Sequence, residues 1–176
     1  MKVLIPIFIF FTILSCKTKE TSLMSNLSNK SEQLKISDCP KGITCTVEVL
    51  KNKTYTIETD SMKKIYPKIV DGEDIVIKYT YSVDNPNNYA DGNQSETLHF
   101  IITKDMETTF KDKELQKVKL LFGKNCFCRD IFGFYTVDEG IFTINNLNGK
   151  SVIDIEFTIP KLGERQFLKK VQLILE

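Results

Sequence analysis

From residue 44 onward, apolar and polar residues alternate in short runs separated by turn-forming residues, and this pattern constrains the fold most. Cys45, Val47 and Val49 alternate with Thr44, Thr46 and Glu48. Successive side chains of a strand point to opposite faces, so such a run has one face for a core and one for water. Lys51-Asn52-Lys53 reads as a turn, and Thr54–Glu58 alternates again with Tyr55 and Ile57 on one face. The two runs predict a hairpin. Asp71-Gly72 is a further turn signal, followed by Ile75, Ile77, Tyr79 and Tyr81 on a single face. A polar loop, Val83–Ser95, leads into the strand Thr97–Thr103. The runs Gly140–Ile144 and Val152–Phe157 flank Asn148-Gly149, a strong hairpin-turn signal, and Phe167–Leu175 forms a last strand. Seven or eight short strands with regularly spaced turns predict a mainly β, antiparallel β-sandwich, with a β-barrel as the alternative.

One segment, residues 112–122, departs from the alternation. Asp112 is placed to cap a first turn, Leu115, Val118 and Phe122 share a helical face, and Gly123 follows where a helix-ending glycine would stand. A short helix is expected there, although Val118, Leu120 and Phe122 also alternate as a strand would.

The first sixteen residues follow other rules. Lys2 precedes an apolar run, Val3–Leu14, which ends in Ile13-Leu14-Ser15-Cys16. A charged start, a short apolar stretch and a small residue before a cleavage point make an export signal. The run is too short for the ~20 residues a membrane-spanning helix needs. This stretch resembles the lipobox of bacterial lipoproteins. The resemblance implies a signal peptide at residues 1–15 and a Cys16 that is lipidated and becomes the first residue of the mature chain. Two or three acyl chains, such as palmitate, would hold it stably on a membrane. The implied address is the bacterial cell envelope, outside the cytoplasm. Lys113–Gly140, with Leu-Leu-Phe-Gly and Cys-Phe-Cys-Arg, is also similar to small envelope lipoproteins, a likeness that implies no activity.

Residues 17–35 are mostly Ser, Thr, Asn, Lys, Glu and Gln with no helical or strand period. With Cys16 they read as a flexible tether, 16–35, of about 25 Å reach, ahead of a single β-rich domain, 36–176. A first strand near Leu34 is the alternative start. Removing residues 1–15 removes one base, Lys2, and no acid, leaving 23 basic and 23 acidic residues. Without a basic stripe to neutralise phosphates, nucleic acid is not an expected partner. Trp is absent, which weighs somewhat against a sugar-stacking surface.

Beyond Cys16 there are four cysteines: Cys39, Cys45, Cys126 and Cys128. An even number in an oxidising compartment predicts disulfides, with three connectivities open. Pro40 and Gly42 suit a closed loop between Cys39 and Cys45. Cys126-Phe127-Cys128 is the sharper feature. In an extended strand its Cα atoms would lie about 6.5–7 Å apart, at the limit a disulfide tolerates, so a bond there needs a bent backbone and would be easily reduced. Structural bonding is the ordinary reading. The functional alternatives are a redox pair or a thiolate pair for a soft metal such as Cu(I) or Zn. Lys124 and Arg129 are neighbours of the kind that favour a thiolate.

Other residues carry weaker signals. His99 is the only histidine; it shares a strand face with Thr97, Ile101 and Thr103, and reads as partly exposed and structural. A single His makes paired-His zinc motifs impossible, and no Gly-x-Ser-x-Gly elbow occurs. The loop Asp84–Glu96 is rich in oxygen ligands for Ca²⁺ but does not fit an EF-hand register, and its Asn, Asp and Gly suit turns equally. Phe127, Ile131, Phe132, Phe134 and Tyr135 are expected mainly in the core, or, if exposed, as a partner-binding patch. Asp60-Ser61-Met62 resembles a bacterial O-glycosylation motif and equally suits a turn. Together these readings describe a membrane-anchored, non-enzymatic module with no cofactor that binds an unknown protein or envelope ligand. The rivals are a thiol or soft-metal protein using Cys126 and Cys128, and a carboxylate hydrolase.

Overall fold

The computed structural model describes residues 34–83, 85, 92–103, 106–147 and 150–175. By contacts the chain divides into units 1–31 and 32–176, and every described residue belongs to the second. Residues 1–33, with the export signal, Cys16 and most of the tether, lie outside the described set, as do most of the Asp84–Asp91 stretch and the Asn148-Gly149 pair.

Among the described residues, ten strands form two antiparallel sheets that face one another, the sandwich that the alternating runs predict. The first sheet holds β1 (Leu34–Ile36), β10 (Lys170–Leu175), β9 (Lys150–Phe157), β8 (Gly140–Leu147) and β5 (Thr108–Lys111) in that order. The second holds β2 (Ile43–Thr59), β3 (Ile65–Val83), β4 (Gln94–Ile102), β6 (Leu121–Asn125) and β7 (Gly133–Thr136). β1 begins at Leu34, the alternative start weighed above. The main core lies between the sheets, where Ile77, Leu98, Phe100 and Phe122 of the second meet Phe142, Ile153, Ile155 and Phe157 of the first. Each such side chain contributes about 1.5–3 kcal/mol by leaving water.

The expected turn at Lys51–Lys53 is not a turn. β2 runs through it with a register shift between Lys51 and Lys53, where Asn52 adopts a positive φ of 56°. Asp71-Gly72 likewise lies inside β3, and Gly72 is there because a Cβ would sit 2.7 Å from the Thr54 side chain. Both turn signals mark one bend in a single long hairpin. A bulge of this kind kinks a strand and strengthens its twist. The reversal comes at Asp60–Lys64, where the Asp60 carboxylate accepts the Met62 and Lys64 amides, both at 2.8 Å. Asp60-Ser61-Met62 is therefore a turn.

The bend has a purpose in packing. Only Ile75–Val83 of β3 pairs with β4. The rest of the hairpin folds back over the outer face of the second sheet. Tyr55 packs there with Val76, Ile101 and Leu121 in a second core. Its hydroxyl donates to the carbonyl of Lys119 and to that of His99. At the far end, the Lys64 ammonium reaches the Phe132 carbonyl and ring.

The expected helix is a shorter object, a 3-10 helix at Asp112–Val118 that buries Leu115 and Val118. Asp112 does not cap it; its carboxylate accepts from the Gly140 amide. Lys119, left-handed at φ 51°, ends it, and Leu121–Asn125 then follows the competing alternation as a strand. Gly123 is an interior residue of that strand, where a Cβ would meet the Thr97 hydroxyl at 2.5 Å and the Phe134 ring at 2.6 Å.

Candidate functional site at one end of the sandwich

Register places four side chains in a row across the inner face of the second sheet. Cys45 is opposite Tyr81, Tyr81 opposite Glu96, and Glu96 opposite Lys124. Glu96 and Lys124 are only 1% and 5% exposed and form an ion pair at 2.6 Å. A buried pair is tolerable only when its remaining lone pairs and protons are also satisfied. Here they are. Glu96 accepts the amides of Phe167 and Leu168, and Lys124 donates to the Arg165 carbonyl. The pair therefore ties the second sheet to the segment that leads into β10. From the other side, Gln166 holds the same segment through the Ile159 amide and the Phe157 and Leu168 carbonyls.

Both disulfides stand at this end. Cys39–Cys45 spans a Cα separation of 6.0 Å and fastens the loop after β1 to the start of β2. Cys126–Cys128 spans 5.2 Å and encloses one residue. The local connectivity is thus the one adopted. The second pair is not in a strand, because β6 stops at Asn125 and the backbone bends beyond it. That bend is the departure from extended geometry such a bond requires.

The Cys126–Cys128 bond joins no two elements. Both cysteines are half-buried, and Phe127 between them is 84% exposed. With Arg129 and Phe132 they line a shallow, mostly apolar concavity of about 580 Å³. The expectation that this aromatic stretch is core holds for Ile131 and fails for Phe127 and Phe132, both of which are exposed. The loop between β6 and β7 turns them outward, where the Lys64 side chain covers part of the Phe132 ring and leaves Phe127 open. Lys124 does not serve the sulfurs, being committed to Glu96. Arg129 remains beside them, exposed.

Neither a family model nor a curated protein nor a solved structure matches this chain.

His99 lies apart from this end. It is 6% exposed, a correction to the partly exposed residue expected. It stands on the strand face expected, and the folded-back hairpin covers that face with Tyr55. The imidazole packs edge-on to Tyr55 and Phe134, at 6.3 and 5.8 Å between centroids. Its Nδ1 is buried without a hydrogen-bond partner among the described residues. Burial pushes its pKa down to about 4, helped by the Lys78 ammonium and opposed by Glu48.

Among the described residues no group of three or more His, Cys, Asp or Glu side chains is placed to hold a metal ion, so the cysteine pair has no third ligand beside it. Of the calcium-candidate loop, Asn85, Gly92, Asn93 and the stretch Gln94–Glu96 are described; the Asn85 amide donates to Asn93 at 3.2 Å. No helix among the described residues is long and apolar enough to cross a membrane. The Glu96–Lys124 pair was missed from the sequence, although a signal was present. Glu96 shares its strand face with Leu98, Phe100 and Ile102, and Lys124 shares its face with Leu120 and Phe122. A charge on an apolar face asks for a buried partner.

Proposed function

We propose that this chain is a thiol–disulfide exchange module, with Cys126 and Cys128 as its working pair, carried outside the cytoplasm on a lipid anchor at Cys16. The observation behind the exchange reading is the placement of the second disulfide. A bond around one residue limits the unfolded chain little, since the entropic benefit grows with loop length. This one links no strands and stands half-exposed at a rim. It contributes little as a staple and is open to attack. Arg129 beside it favours the thiolate that attack would release. The short apolar run ending at Cys16 supports the anchor, and two disulfides suit an oxidising compartment.

The exchange is balanced within the pair and its partner. A partner thiolate attacks one sulfur, the Cys126–Cys128 bond breaks, and a mixed disulfide forms while the other cysteine leaves as a thiolate. A second partner thiolate then attacks the mixed disulfide. The partner's dithiol becomes a disulfide, and the two electrons and two protons end on Cys126 and Cys128. The reverse direction reduces a partner disulfide.

Residues 17–176, exported to an oxidising compartment, are equilibrated in graded mixtures of reduced and oxidised dithiothreitol, alkylated and weighed intact. Two alkylations mapping to Cys126 and Cys128 are expected well before any at Cys39 and Cys45. Simultaneous reduction of both pairs, or earlier reduction of Cys39–Cys45, overturns the proposal.

A further inference from the structure

A second cavity, of about 450 Å³, opens between the two sheets at the same end. Its size is within the range of ligand pockets, about 300–1,000 Å³. Asp38, Tyr79, Tyr81, Phe167, Lys169 and Lys170 supply its chemistry. The exchange reading uses none of them.

The walls of this cavity are braced. The Cys39–Cys45 bond fixes the loop carrying Asp38 against β2, next to Tyr81 in register. The buried carboxylate of Glu96 holds the amides of Phe167 and Leu168 on the opposite wall. Tyr81 lies between these braces, paired with Cys45 on one side and Glu96 on the other. A covalent bond and a buried ion pair thus hold the two walls of one opening.

The polar groups inside are unspent. Tyr79 is 2% exposed, its ring packed in the core. Among the described residues neither tyrosine hydroxyl makes a hydrogen bond, and the Asp38 carboxylate and the two ammonium groups have no ion-pair partner. Neither hydroxyl is sealed from solvent, so both open onto the cavity with a proton free to donate to whatever enters it. Burial raises the pKa of both tyrosines, with Asp38 adding to the effect at Tyr79, so both hydroxyls stay protonated and can donate.

We infer that this cavity binds a sugar ring bearing a carboxylate. A sugar hydroxyl donates and accepts at once, which matches an acceptor, Asp38, beside the donors Tyr79 and Tyr81. An ammonium group would satisfy Asp38 but has no lone pair for the phenol protons. Phe167, half-exposed with the Lys124 ammonium against one face of its ring, offers the rest of that ring to the C–H side of the sugar, a role for which the missing Trp is not required. Lys169 and Lys170, both exposed, add positive charge that selects an acidic ring over a neutral one.

The test is a titration of ¹⁵N-labelled residues 17–176 with glucuronate, galacturonate and a uronate disaccharide, against glucose and glycyl-leucine. The uronates are expected to shift the amides of Asp38, Tyr81 and residues 167–170, and glucose to do so more weakly. Tyr81→Phe, which leaves packing intact, is expected to weaken uronate binding about fivefold, the worth of one hydrogen bond. Lys169→Gln with Lys170→Gln is expected to bring uronate down to the glucose level. Thermal melts of both variants check that they fold. Absence of shifts with every uronate, shifts with glycyl-leucine alone, or uronate binding untouched by both variants each overturns the inference. The outcome is independent of the exchange reading, because Cys126 and Cys128 do not line this cavity.

Discussion

Acid should loosen this domain through His99, by an amount that can be worked out. In the folded chain its pKa is about 4, against an ordinary value of 6.5. The folded state therefore holds fewer protons than the unfolded state between those two values. Stability rises with pH wherever the unfolded state binds more protons. The neutral imidazole's full contribution is thus present above pH 6.5 and is lost as pH falls toward 4. A shift of about 2.5 units at 1.36 kcal/mol each gives about 3 kcal/mol, nearly all of it gone by pH 4. That is a large share of the 5–15 kcal/mol typical of a domain. Carboxylates also titrate in this range, so the contribution of His99 is isolated by difference. His99→Leu keeps an apolar group between Tyr55 and Phe134 and removes the titrating ring. Urea unfolding followed by circular dichroism, at pH values from 7 to 4, should show the native chain losing about 3 kcal/mol more than the variant. Because His99 is the only histidine, its ring-proton resonance titrates alone in an NMR spectrum. A midpoint near 6.5 there, or parallel stability curves for the two chains, would refute the buried, neutral imidazole.

Lys124→Met is expected to cost about 3–5 kcal/mol in urea unfolding, because Glu96 is then left charged and buried without its partner; a loss under about 1 kcal/mol would mean that the pair does not brace the segment into β10. Cys39→Ser with Cys45→Ser is expected to lower stability by about 2 kcal/mol, from the loop it frees. Cys126→Ser with Cys128→Ser should cost clearly less in the same assay, and equal losses would count against the division of labour between the two bonds. Cys16→Ala in the full-length chain, expressed in a bacterial host that processes lipoproteins, is expected to abolish labelling by a palmitate analogue and release the protein from the membrane fraction. Unchanged labelling would remove the anchor.

The sandwich was legible because its strands bury one face and wet the other, and that alternation is written residue by residue. The long hairpin was not. Asn52 and Gly72 carry turn chemistry, yet the apolar residues on both sides, Leu50 and Tyr55 on β2 and Val76 on β3, gain more by covering the sheet than by reversing the chain. The burial of His99 was hidden for the same reason: its cover comes from Tyr55 and Phe134, both far from it along the chain. Composition marks which face of a strand is apolar but not what folds over the other. The exposure of Phe127 was equally hidden, since an aromatic stretch reads as core unless the short ring that projects it is known. The cavity between the sheets was out of reach because Asp38 and Lys169 meet only through sheet topology, although the tyrosines that floor it stood in plain alternation.

β1 lies beside β10, with Leu34 opposite Leu175. A pull at that point loads the short β1–β10 ladder from its end, so its bonds yield one after another. Peeling would pass Ile36 and Ser37 and halt at Cys39, where the disulfide hands the force to Cys45 and the long β2–β3 ladder behind it. The bond is thus a mechanical stop. Short of it, tension would draw Asp38 away from Tyr79 and widen the opening between the sheets while the rest of the sandwich stayed closed. A domain held at this end would let go of a ligand there before it came apart.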